Sequence, residues 1–88
     1  MAEYRVVIAR SARKELESLD RATADRIIGT FERLRGEPRP LGARKLRGAA
    51  DLWRVRVGDY RLIYAIDDTQ QIVDIRVVRH RKDAYRQS

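Results

Sequence analysis

No cysteine occurs in these 88 residues, so neither a disulfide nor a thiolate metal centre is open to the chain. A single histidine is too little for a zinc site. Acidic groups run short: 13 Asp and Glu stand against 20 Lys and Arg, leaving a net charge of +7. Long apolar runs are missing as well. Nothing approaches the ~20 residues of a membrane span. The opening stretch, MAEYRVVIARSARKE, lacks the apolar core of a secretory signal. A cytoplasmic protein is the expectation, without a membrane partner, metal or cofactor.

What is present fits one domain, residues 1–88, since a chain this short builds a single core. An excess of positive charge on so small a surface favours a polyanionic partner, or an acidic protein that masks it. The bland alternative is a basic surface that is merely soluble. Proline and glycine are scarce, and both prolines fall in GEPRPLGARKLRGAAD. That stretch reads as the one long loop, basic and of a kind that often carries function.

Outside the loop the patterning is regular. Tyr4 to Ala9 is rich in β-branched residues and apolar on both faces, which predicts a well-covered strand. Ser11 is placed to cap a helix in which Ala12, Leu16 and Leu19 share a stripe. Asp20 is a second N-cap, opening a helix with Ala24, Ile27, Ile28, Phe31 and Leu34 at helical spacing and Gly36 at its end. The second half alternates. Trp53, Val55 and Val57 fall on one face, with Arg54 and Arg56 on the other. Gly58-Asp59 forms a two-residue turn, and Tyr60, Leu62, Tyr64 and Ile66 then lie opposite Arg61, Ile63 and Ala65. After DDTQQ the last strand runs from Ile72 to Arg79. The order β-α-α-β-β-β predicts an α+β domain, with a helical hairpin packed on one face of a small, mostly antiparallel sheet.

Two helices cover one sheet face and leave the other to solvent or a partner. With Trp53, Val55 and Val57 turned to the helices, Arg54, Arg56 and Arg61 share the open face. Continuing the alternation from Val73, Ile75 and Val77 adds Arg76 and His80 to it. Four guanidiniums and an imidazole then share a face broken by Ile63, Ala65 and Val78, with nothing acidic between them. Like charges on neighbouring strands repel, so the cluster points to a bound anion. A solvated face, with Arg76 paired to Asp74 or Asp59, is the plainer reading. Arg81 lies just past the strand and is free to curl towards the cluster. Tyr85 follows four residues later, within reach if RKDAY is helical. Guanidiniums beside an aromatic ring and a histidine suit a phosphodiester, with charge stabilisation from the arginines and base stacking from the ring.

At these residues, KLRG, LWRVRVGDYRLIYAI and VVRHRKDAY, the chain resembles the RelE toxins of the RelE/ParE superfamily, from type II toxin–antitoxin modules. The resemblance runs through nearly the whole chain and implies a RelE-like fold. It implies a metal-independent, ribosome-dependent mRNA interferase, an endoribonuclease that cuts mRNA in the ribosomal A site by attack of the 2′-hydroxyl on the adjacent phosphate. Position by position, Arg61 and Arg81 match the catalytic arginines and Tyr85 the stacking tyrosine, while Lys45 and Arg47 match a basic stretch near the RNA. Arg54 and Arg56 stand where the best-known member carries lysines. Arginine does not act as a base, so His80 is expected to assist proton transfer; the alternatives are weak acid–base help with slow cleavage, and a surface histidine at a strand end. The implied partners are a cognate antitoxin, acidic and partly disordered, the ribosome with its mRNA and rRNA, and operator DNA through the antitoxin complex alone. Two other readings remain: a ParE-like inhibitor of DNA gyrase that cuts no RNA, and a non-catalytic RNA-binding module.

Overall fold

Alternating apolar residues in the second half build the sheet on which everything else rests. In the computed structural model, which describes residues 3–48 and 51–82, five strands lie in the order β1-β5-β4-β3-β2. These are β1 (Arg5–Ile8), β2 (Arg44–Lys45), β3 (Leu52–Val57), β4 (Tyr60–Asp67) and β5 (Ile72–His80). All pairings are antiparallel except β1 with β5. The β3–β4 hairpin turns on Gly58-Asp59, with Val57 paired to Tyr60. Gly58 takes φ 60 there, a left-handed conformation that costs glycine little.

Helices α1 (Arg10–Glu17) and α2 (Arg21–Gly36) cover one face of this sheet. Ile27, Phe31 and Leu34 of α2 and Ala12 of α1 bury against Leu62, Tyr64, Ile66, Val73, Ile75 and Val78. Trp53, Val55, Val57 and Tyr60 pack against the same core. Transfer of each large apolar side chain from water favours the fold by roughly 1.5–3 kcal/mol. Asp20 caps α2 as expected, its carboxylate accepting from the Thr23 N–H at 3.1 Å.

Four details depart from the sequence pattern. Helix α1 begins two residues early, after Ala9, with no side-chain cap. Ser11 instead turns its hydroxyl to the Arg76 carbonyl at 3.5 Å. Ile28 of the α2 stripe is exposed, because the stripe the sheet covers is narrower than the apolar spacing. The basic loop contributes a short fifth strand, β2. Finally, β5 carries a β-bulge: Ile63 pairs with Val77 but Tyr64 with Ile75, leaving Arg76 as the extra residue. A bulge shifts the two-residue period by one. Val78, expected on the open face, is therefore buried in the core.

Candidate functional site

The bulge decides which side chains share the uncovered face. Residues paired across a sheet point the same way, so the register alone draws that face as rows. Nearest the Gly58-Asp59 turn lie Arg56, Arg61 and Arg79, one from each of three adjacent strands. The next row is Arg44, Arg54, Ile63 and Val77. The third is Leu52, Ala65, Asp74 and Val7. The face thus grades from cationic at the hairpin end, through apolar, to an end that holds a carboxylate.

Two arginines that the sequence pattern does not assign to this face enter the site. Arg79 stands opposite Arg61, and Arg44 opposite Arg54. Two residues expected here do not. His80 pairs with Tyr60 on the helix-covered side, the two rings meeting edge to face with centroids 5.1 Å apart. Lys45 pairs with Trp53 and so belongs to that side as well. Arg76 does face outward, but its Nε donates to Asp74 at 2.9 Å, so the expectation of a face free of acidic groups fails at this end. Arg47 is exposed in the turn after β2. Arg81 is anchored through its backbone, its N–H donating to the Asp59 carbonyl at 2.8 Å. Tyr85 lies outside the described residues.

Between β2 and the hairpin the arginines line a groove of about 330 Å³, walled by Gly42, Arg44, Arg54, Val55, Arg56 and Arg61. Among the described residues, ion pairs engage Arg21, Arg35, Arg39 and Arg76 and leave Arg44, Arg54, Arg56, Arg61 and Arg79 without one. A guanidinium offers five donors in a planar fork that matches a phosphate edge. Four such forks around one groove have the charge and donor geometry to take up an extended polyanion. Among the described residues, no three His, Asp or Glu converge as a metal ion requires, and no helix is long and apolar enough to cross a membrane.

The loop that closes one side of the groove is held from behind. Arg39 grips Asp68 with two hydrogen bonds, of 3.2 and 2.8 Å, and its guanidinium carbon lies 5.2 Å from the Trp53 ring centre. Tyr4 donates its hydroxyl to the same carboxylate at 2.6 Å. The bonds from Arg39 and then Tyr4 hold the Asp68 carboxyl below its usual range. Buried Tyr64 donates to the Pro38 carbonyl at 2.8 Å, and burial pushes its phenol up to about 12. Pro40 to Ala43 then forms a tight turn, closed by the Ala43 N–H on the Pro40 carbonyl at 2.9 Å. Gly42 has φ 97, as the third position of a type II turn requires. The turn delivers Arg44 to the groove.

This is a small basic α+β domain whose uncovered sheet face gathers arginines without ion-pair partners at its hairpin end. The chain belongs to the ParE toxin family of type II toxin–antitoxin systems, whose model matches residues 6–85, and within the RelE/ParE superfamily it is RelE-like. It is 38% identical to the toxin RelG of Mycobacterium tuberculosis over 84 residues, spanning 94% of this chain and 97% of that one. The toxin RelE of the same organism is 33% identical over 84 residues, covering 94% of this chain and 87% of the relative. Among solved structures, a chain of the archaeal RelE–RelB complex from Pyrococcus horikoshii superposes with a TM-score of 0.80 at 35% identity. That match covers 89% of this chain and 94% of the other.

Proposed function

We propose that this toxin is a ribosome-dependent mRNA interferase, and that the row Arg56–Arg61–Arg79 holds the scissile phosphate. The row carries the reading: three neighbouring guanidiniums, one per strand, without acidic partners among the described residues. In the reaction the ribose 2′-oxygen bonds to phosphorus as the bond to the 5′-oxygen breaks, leaving a 2′,3′-cyclic phosphate and a 5′-hydroxyl. Arginines aimed at the phosphate stabilise the charge that builds on its oxygens. Arg44 and Arg54 bind the flanking backbone, with Arg47 and Lys45 as outlying contacts. Arg81 and Tyr85 complete the site from the C-terminal side. The 2′-hydroxyl gives up one proton and the leaving oxygen takes one. Guanidiniums do neither, and His80 faces away, so water or the C-terminal segment carries these protons.

The cognate partner is an antitoxin, as the RelE–RelB relative suggests, with an acidic segment that covers the arginine rows and an operator-binding part of its own. Incubation with translating ribosomes, followed by mapping of new mRNA ends, tests the activity. Ends that appear in the codon at the A site, and disappear with Arg61→Ala, are the expected result. The match to the ParE family supports a second reading, inhibition of DNA gyrase. Loss of supercoiling without new mRNA ends would replace the first reading with that one.

A further inference from the structure

The lone histidine is displaced from the groove by the bulge, yet its surroundings are specific. His80 ends β5, and its ring stands edge to face against Tyr60 at an interplanar angle of 89°. Arg81 and Lys82, which follow, are helical. The Lys82 N–H donates to His80 Nδ1 at 3.1 Å, while the Arg81 N–H reaches across to the Asp59 carbonyl at 2.8 Å. The first N–H groups of a helix have no partner within it, and a side chain that accepts from the second or third serves as the cap. His80 occupies that position. Its acceptor role requires the neutral ring with the proton on Nε2.

We infer that His80 is a positioning residue: its ring, braced on Tyr60, caps the helical residues Arg81 and Lys82 and fixes Arg81 at the end of the arginine row. Asn, Asp or Ser would cap as well, but none has a ring to lean on Tyr60. An alanine would do neither. The bulge is what makes this possible, because without it His80 would face the groove with its back to Tyr60. In the run Arg79-His80-Arg81 the three side chains therefore do different work. Arg79 belongs to the row, His80 braces the exit of the strand, and Arg81 follows with helical backbone.

The role in cleavage rests on the interferase reading, whereas the cap itself does not, and the test separates them. His80→Asn and His80→Ala both lose the ring contact, but only Asn keeps a side-chain acceptor. Single-turnover cleavage on translating ribosomes should run about five-fold faster for Asn than for Ala, the scale of one N-cap. Equal rates, with Arg61→Ala inactive, would overturn the positioning role and leave the interferase reading standing. The cap has its own measurement in the unaltered protein: the Lys82 amide should exchange with solvent more slowly than a free peptide amide. Exchange at the free-peptide rate would overturn the cap whatever the variants do. No cleavage by the parent would remove the interferase reading alone.

Discussion

Arg39, in the loop after α2, and Arg61, within β4, are treated oppositely by the fold. Arg39 is ringed by a carboxylate, a tyrosine and the face of Trp53. Arg61 has Arg56 on one side and Arg79 on the other. The first set of contacts holds the free protein together. The second opposes folding, because neighbouring like charges on a sheet repel. One end of the domain is thus internally neutralised and the other is left unneutralised, which makes the hairpin end the place where an anionic partner would gain most. That asymmetry gives the functional reading its direction, and it can be broken by substitution.

The largest expected effect lies in the unneutralised row. Arg61→Ala, Arg56→Ala and Arg79→Ala should each slow ribosome-dependent cleavage by about 10²–10³, the usual consequence of losing one donor to a developing oxyanion. Thermal stability should hold or rise slightly as repulsion is relieved. Full cleavage by all three would show that the row binds nothing in the transition state. Binding should respond to salt through the neighbouring row. Each of Arg44 and Arg54 replaced by alanine should reduce the log–log salt slope of ribosome association by about 0.7–0.9. Arg39→Ala should leave that slope unchanged. A slope that falls equally for all three would erase the distinction between the two arginine sets.

Most of the covered face is legible from residue pattern alone. The alternation Trp53, Val55, Val57 against Arg54, Arg56 carries a strict period of two, and Asp20 with Thr23 caps a helix by local chemistry. The bulge is not legible in this way. Val77 and Val78 are adjacent apolar residues, and either can face the core, so the phase of the strand beyond Arg76 is undetermined by pattern. Only packing against Leu62 selects Val78, paired with it and also buried. That choice carries Arg79 into the row and His80 out of it. The two-residue β2 gives no period at all, so Arg44 and Lys45 read alike until pairing to Arg54 and Trp53 separates them. Sequence pattern locates the cationic face well and assigns individual side chains poorly wherever a strand shifts phase or is very short.

The neutralised end yields smaller effects, mostly in stability. Tyr64 is fully buried, and its hydroxyl is tied to the Pro38 carbonyl. Tyr64→Phe should destabilise by about 1 kcal/mol, a typical net hydrogen bond, which in a domain of this size lowers Tm by about 4–8 °C. Because the bond holds the loop that delivers Arg44, cleavage should fall only modestly, far less than for Arg61→Ala. A loss of cleavage as large as that of Arg61→Ala would show that the loop, and not the row, dominates the site.

The smallest effect tests the carboxylate behind the loop. Hydrogen bonds from Arg39 and Tyr4 lower the Asp68 pKa in the folded protein from 3.8. The folded state therefore resists protonation that the unfolded chain accepts. The stability this contributes is complete above the unfolded value and is lost as pH falls through the lower folded one. Asp20 is lowered in the same sense by its bonds from Thr23, so the acid limb has at least two sources. Both carboxylates are at the surface, where solvent screening keeps such contributions small. Asp68→Asn should accordingly flatten, without abolishing, the loss of Tm as pH falls through and below the ordinary carboxylate range, and Asp20→Asn should flatten it independently. Tyr4, raised by its bond to Asp68, acts at the other extreme: its contribution is present below about pH 10 and fades above it. If Asp68→Asn and the parent lose Tm in parallel through the acid range, the carboxylate does not hold the loop. The contrast between the neutralised and unneutralised ends would then rest on the Trp53 contact and the Tyr64 hydrogen bond alone.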